Sequence, residues 1–256
     1  MRRNQVVPTL VPIFAMVFLL ARDCAAQQGI PDSEKRLFDA ANRERAERKL
    51  PVLKWDEGLA RAAHRHAELM AEHDQLEHQI AGEADLATRA HEAGARFSHI
   101  TENIAMGASA EKFHEGWMNS PGHRANILDN HADSIGIAVV EGEVDLYAVE
   151  DFAHAVAPLS IDEQEKRVGE VLAARGVRLI SIGSNARKSC ELDRGYVGTS
   201  NPKYVTHYQT PNVAELPGSV ENELQSRHYK SAAVGACPQK EASGGFTRFR
   251  IVVLLY

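Results

Sequence analysis

The side chains that have chemistry to offer are scattered along the chain. His78, Glu102 and His123 are two imidazoles and one carboxylate, a donor set that a zinc-like ion accepts with a coordination position left open. With an ion on the histidines, Glu102 is the candidate base toward metal-bound water. His78 and His123 are not an HxxxH pair that puts both rings on one helix face, so only a tertiary fold can gather them. Ser120 and His123 are close enough for a nucleophile and its base, but no orienting acid or oxyanion donor accompanies them. Among the twelve histidines, His64, His73, His91, His99, His114, His131 and His154 lie beside charged residues and read as solvated or structural groups. His66 falls on an apolar stripe and reads as a core histidine.

The elements that must position these groups follow from periodicity and punctuation. A helix is expected from Asp32 to Leu50, stopped by Pro51, and a second from Glu57 to Asp74 with Leu59, Ala62, Ala63, His66, Ala67 and Met70 on one face. Ala84 to Ala93 forms a third that ends at Gly94, and Ser109 to Met118 a fourth, closed by Pro121-Gly122. Ile135 to Val140 and Val144 to Phe152 read as strands joined by a turn at Glu141-Gly142-Glu143. Glu150 on the second of these strands is a further carboxylate, which alternation can place toward the site or toward solvent. Helices followed by an antiparallel hairpin predict an α/β/α sandwich.

At residues 157–160 the pattern changes, and a domain boundary is expected there. Beyond it, a helix from Asp162 to Ala174, strands at Val177–Ile182, Tyr204–Tyr208, Ala232–Ala236 and Arg248–Tyr256, and a helix at Pro217–Arg227 predict a smaller α+β domain over residues 160–256. No internal repeat is legible. The alternating charges of Arg43-Glu44-Arg45 and Glu165-Lys166-Arg167 read as exposed helix faces.

Three segments, in order, resemble the CAP (SCP/PR-1-like) superfamily: His78 after the second helix, Glu102-Asn103-Ile104-Ala105, and Trp117-Met118-Asn119-Ser120-Pro121-Gly122-His123-Arg124-Ala125-Asn126-Ile127-Leu128. Leu53-Lys54-Trp55-Asp56, Arg89, Gly94 and Ile135-Gly136-Ile137-Ala138 fit around them. The resemblance covers residues 34–155, within a domain placed at 32–157. It implies the family's α/β/α sandwich with a cleft where His78, Glu102 and His123 meet, His78 and His123 being the ligands for Zn2+ or another divalent metal. Many eukaryotic relatives carry a second glutamate three positions after the motif tryptophan; here that position is Ser120, so a two-carboxylate acid–base pair is incomplete. Gly122 and Asn126 read as a turn and a backbone-bonding side chain that lock the loop holding His123.

Arg2 and Arg3, the uncharged run from Val6 to Leu20 and Cys24-Ala25-Ala26 have the layout of a signal peptide over residues 1–26. A membrane anchor and a lipoprotein modified at Cys24 are the rivals, the latter disfavoured by Arg22 and Asp23. The 256-residue chain carries a net charge of −6, which becomes about −8 without the segment holding Arg2, Arg3, Arg22 and Asp23. That balance excludes nucleic acid and anionic lipid as main partners. The run Ile251 to Leu255 is too short to span a membrane, so no span is expected after signal removal, and the expected location is secreted or periplasmic. Cys190 and Cys237 then form an even pair in an oxidising compartment and predict a disulfide, two buried thiols being the alternative.

Three functions remain open from these residues. The first is a binding or interaction module for a small ligand, lipid or cell-wall component. The second is a metal-assisted hydrolase using His78, His123 and Glu102. The third is a scaffold that acts through its surface.

Overall fold

The computed structural model describes residues 31–226, 229–240 and 243–256, so the expected signal peptide and the end of the helix predicted to reach Arg227 lie outside the described residues. Side-chain caps fix where several helices begin. After α1 (Asp32–Glu47), Asp56 accepts the Leu59 amide at the start of α2 (Glu57–His73) and Asp85 accepts that of Thr88 at the start of α3 (Leu86–Glu92), each satisfying an amide that has no partner within the helix. Ser109 caps α4 (Ala110–Asn119) in the same way. Ser120-Pro121-Gly122 is not the expected turn. Pro121 is the first residue of α5 (Pro121–Ile127), where its missing N–H is no loss and its fixed φ suits a helix. His123 therefore rides on a helix rather than in a loop.

Four strands, β1 (Lys54–Trp55), β2 (Phe97–Gly107), β3 (Ser134–Glu141) and β4 (Leu146–Ala155), form a sheet in the order β1-β3-β4-β2, with β1 parallel to β3 and the other pairs antiparallel. Alternation sorts the side chains into two cores. Ile135, Ile137, Ala148 and Phe152 pack with Leu37, Phe113, Trp117 and Ile127 from α1, α4 and α5. Ala138, Tyr147 and Val149 face Ala63, Ala67 and Met70 of α2. This is the expected α/β/α sandwich. The α2 backbone rests directly on β3, where a Cβ at Gly136 would lie 2.1 Å from the Ala60 nitrogen, so only glycine fits.

One helix-borne charge behaves differently from the expected exposed faces. Arg45 is fully buried and donates to the carbonyls of Pro51, Ile127, Asp129 and Ala132. These four acceptors, with Asp129 and Asp133 nearby, let its charge sit in the core and tie the end of α1 to the segment after α5. Glu34 is also buried, and its carboxylate accepts the Val139 amide at 3.1 Å.

The C-terminal residues build a second sheet from β5 (Arg178–Leu179), β6 (Tyr204–Thr210), β7 (Ser231–Cys237) and β8 (Phe249–Leu255), in the order β5-β7-β8-β6. Here too the first strand is parallel to the third and the rest are antiparallel. Of the helices α6 (Ile161–Ala174), α7 (Asn185–Glu191) and α8 (Gly218–Ser226), α6 and α8 cover one face and α7 the other. Strand order, strand direction and layering all repeat those of the first sheet. Details repeat as well. Gly235 of β7 lies under α7, on the same face as the counterpart of Gly136 and two positions further along, its Cβ position 2.2 Å from the Ala186 carbonyl. Glu165 of α6 accepts the Ala236 amide at 3.0 Å, and Ala236 holds the same place in β7 that Val139 holds in β3. The chain thus contains an internal repeat, contrary to the sequence reading. What recurs is backbone topology, which different apolar side chains satisfy equally well.

The expected disulfide is present and joins α7 to the end of β7 through Cys190 and Cys237. Among the described residues no helix is long and apolar enough to cross a membrane. The disulfide closes a loop with a sequence separation of 47, and its removal costs about 4 kcal/mol by loop entropy. In a Cys190→Ser, Cys237→Ser variant the second sheet is expected to lose hydrogen-exchange protection at lower denaturant than the first. Coincident loss from both sheets would contradict this.

Candidate functional site

The register of β2 against β4 sets Glu102 opposite Asp151 and Asn103 opposite Glu150. Adjacent residues of a strand point to opposite faces, so one acidic pair lies under α2 and the other polar pair lies on the α4 and α5 side. The site is built around the edge strand β2, from both of its faces.

On the α2 face, the Glu102 side chain is 3% exposed and carries three basic neighbours. Arg89 of α3 forms an ion pair with it, His78 Nδ1 lies 2.8 Å from Oε1, and His66 Nε2 lies 3.8 Å from Oε2. Arg89 also donates to the His78 carbonyl at 3.3 Å. Burial pushes the Glu102 carboxyl up, but the His78 hydrogen bond and the Arg89 charge outweigh it and hold the pKa below the ordinary carboxylate value. The same hydrogen bond raises His78. His66 is buried, with Nδ1 2.9 Å from each Glu83 oxygen, and Glu83 accepts the Ile80 amide at 3.0 Å. Glu83 thus ties α2 to the segment that delivers His78. Neither Asp151 oxygen has a hydrogen-bond partner among the described residues. Burial, then the Glu102 charge, pushes Asp151 well above the ordinary value, toward its neutral form.

On the other face, two asparagines bind α5 to β2. The Asn103 side-chain amide donates to the His123 carbonyl at 3.2 Å, and Asn126 donates to the Asn103 side chain at 2.9 Å and to the Glu102 carbonyl at 3.0 Å. The Trp117 indole donates to the Ile104 carbonyl at 2.9 Å. The Trp117 and Asn126 motif residues therefore cap backbone carbonyls of an edge strand that would otherwise be open to pairing. His123 is lowered, first by burial and then by the charge of His78.

Of the three expected site residues, His78 and Glu102 are in direct contact, and His123 is carried on α5, whose backbone is tied to β2 through Asn103. The His78 ring is 61% exposed, and its Nδ1 is committed to Glu102, which leaves Nε2 as the outward donor. A carboxylate behind a histidine is the arrangement that orients a metal-binding imidazole. Both Glu102 oxygens are engaged by Arg89 and His78, so Glu102 is not an unoccupied third ligand. Among the described residues no group of three or more His, Cys, Asp and Glu side chains is placed to hold a metal ion. His78 and His123 alone would supply one ligand fewer than the three of catalytic zinc sites. Ser120 lies ahead of α5 without a side-chain capping bond.

Sequence reasoning missed the roles of Glu83, Asp151 and Asn103, and took Arg89 only as part of a pattern. Glu150-Asp151 inside an otherwise apolar strand was the available signal, since acids are seldom buried without a reason. Glu150 faces neither solvent nor the histidines. It is wholly buried on the α5 side, with one oxygen 3.4 Å from the Asn103 side chain and the other without a partner among the described residues.

Burial raises Glu150 to about 8. Its folded pKa lies above its unfolded value, so its proton stabilises the fold fully at acid pH, and that contribution declines as pH rises toward the folded pKa. Relative to the wild type, Glu150→Gln is expected to gain stability between about pH 5 and 8, by up to about 1.4 kcal/mol per pH unit. Denaturant unfolding at a series of pH values measures it, and a pH-independent difference would show that Glu150 is not protonated in the fold.

Residues 38–152 match the model of the CAP family, the cysteine-rich secretory protein family. Two curated proteins of Bacillus subtilis (strain 168) are similar. The membrane protein YlbC, itself uncharacterised, is 33% identical over 108 residues, covering 42% of this chain and 31% of that protein. YkwD, also uncharacterised, is 30% identical over 118 residues, covering 46% of each. The chain thus spans less than half the length of either relative. An extracellular protein containing an SCP domain from Bacillus anthracis str. Ames is similar among solved structures, at 27% identity and a TM-score of 0.45, covering 47% of this chain and 40% of that one. The family match spans the first sheet from the end of α1 to β4 and includes His78, Glu102 and His123. Residues 38–152 of the chain therefore carry a CAP domain.

Proposed function

We propose that the chain is an exported binding module whose CAP cleft, at the edge of β2, takes up a small ligand or cell-wall component, with a divalent ion on His78 and His123 as part of the binding surface. The observation that carries this reading is the state of Glu102. A general base needs an oxygen within reach of the proton it takes, and both oxygens of this carboxylate are occupied, one by His78 and one by Arg89. Its pKa is also held down, which makes it a weak base suited to orienting an imidazole. Ser120 occupies the place where a second acid would complete a two-carboxylate mechanism. The metal-assisted hydrolase therefore ranks second. Export is supported by the layout of residues 1–26 and by the disulfide, which suits an oxidising compartment.

A bound ion would supply a Lewis-acid contact for an anionic or carbonyl group of the ligand. The chain's own part is to hold the two rings, His78 through Glu102 and His123 through the Asn103 and Asn126 bonds to α5. Calorimetric titration of metal-stripped protein with Zn2+ is expected to give one weak, exchangeable site that is lost in both His78→Ala and His123→Ala. Glu102→Gln should weaken it about 10- to 100-fold, as the loss of an orienting carboxylate does. No binding by the wild type would remove the ion from the reading, and turnover of peptide, ester or glycan substrates that depends on Glu102 would favour the hydrolase.

A further inference from the structure

The repeated topology allows the two sheets to be compared position by position. Glu102 is paired with Asp151, which is paired with Gly136 of β3. At the same register of the second sheet, Val205 is paired with Leu254, which is paired with Ala233 of β7. Asn103 and Glu150 correspond in the same way to Thr206 and Val253. Val253 and Leu254 are fully buried. The second sheet therefore keeps the architecture and replaces the buried acids with aliphatic core.

One part of this second sheet is more elaborate than its counterpart. The first hairpin closes tightly, with the Gly142 amide bonded to the Asp145 carbonyl at 2.9 Å. The corresponding connection between β7 and β8 runs through residues 238–248 and reaches the first sheet. Its base is held by Arg250, which donates to the carbonyls of Pro238 at 3.1 Å and Cys190 at 3.2 Å. Its two arms are clamped by Gln239, whose side chain donates to the Phe246 carbonyl and accepts the Arg248 amide, both at 2.9 Å.

The tip is fitted to α3. Gly245 has φ +77°, and a Cβ there would lie 2.2 Å from the Ala87 carbonyl, so the conformation and the close approach both require glycine. The Phe246 ring meets Phe97 edge to face at 5.5 Å and packs on the cluster that contains Leu59, Ala90 and Ala93. The Thr247 amide donates to the Phe97 carbonyl at 2.8 Å. At seven residues, α3 is far too short to persist alone, and the elements packed on it are α2, β2 and this tip. Arg89, the ion-pair partner of Glu102, lies between Ala87 and Ala90.

We propose that the C-terminal half, a copy of the first sheet's topology without its buried acids, serves as a positioning platform, residues 245–247 holding α3 and so keeping Arg89 on Glu102. Phe246 and Gly245 are positioning residues that act through Arg89. What the Arg89–Glu102 pair is used for rests on the cleft reading above; the mechanical link does not.

Hydrogen exchange and the Arg89 Nε–Hε NMR signal, followed on the whole chain purified after export, test the link. In Phe246→Ala, exchange of the amides from Arg89 to Ala95 is expected to rise about tenfold and the Arg89 signal to move toward that of a free guanidinium. The amides of β3, β4, β7 and β8 should stay protected, and Phe246→Leu should restore the wild-type pattern. An unchanged α3 and Arg89 signal, or a uniform rise across both sheets, would overturn the proposal. Zn2+ titration of the wild type reads the cleft separately, so either idea can fail while the other stands.

Discussion

An ionised carboxylate inside a protein is tolerated only where opposite charge and hydrogen bonds replace the water it has lost. Glu102 sets that constraint here. It sits on the edge strand of the first sheet, beneath α2, with Arg89, His78 and His66 converging on it from α3, from the segment after α2 and from α2 itself. Each partner arrives on a different element, so the carboxylate acts as a common anchor. The placement of α3 and the path of the chain through His78 both follow from keeping that single charge compensated.

The same constraint separates holding from binding. Glu102 orients His78 and leaves its second nitrogen free, while Asn103, one strand position away and on the other face, joins Asn126 of α5 to fix the helix that presents His123. The two rings are thus set from opposite sides of one strand. The neighbouring acids Glu150 and Asp151 are both pushed toward the neutral form by burial, and a neutral acid adds no competing charge to the layer that holds Glu102.

The second sheet shows that the architecture does not need any of this polarity. Val205, Val253 and Leu254 stand at the registers of Glu102, Glu150 and Asp151, and the same strand order and three layers result. Fold and site are separable: apolar alternation and the glycine contacts between helix and sheet make the sandwich, whereas the acids make the site.

Much of the architecture was legible in the sequence because it depends on local signals. Helix caps, the Gly142 turn and the alternation of Ile135 to Val140 each act over a few residues, and the cysteine parity pointed to the disulfide. The CAP segment was legible from the motif around Trp117 and His123. Strand β2 was not, because His99, Thr101, Glu102 and Asn103 break the apolar alternation that marks a strand, and polar side chains there are compensated only by residues distant in sequence. Arg45 was misread as surface for the same reason, since four carbonyl acceptors from distant loops justify its burial. The internal repeat was invisible because topology constrains which positions are buried and leaves the identity of the apolar residue there open. Tertiary structure alone decided that Glu102 is shared between Arg89 and His78, and that a C-terminal loop reaches α3. Both depend on which surfaces meet, and that is set by the packing of whole elements rather than by the order of residues along any one of them.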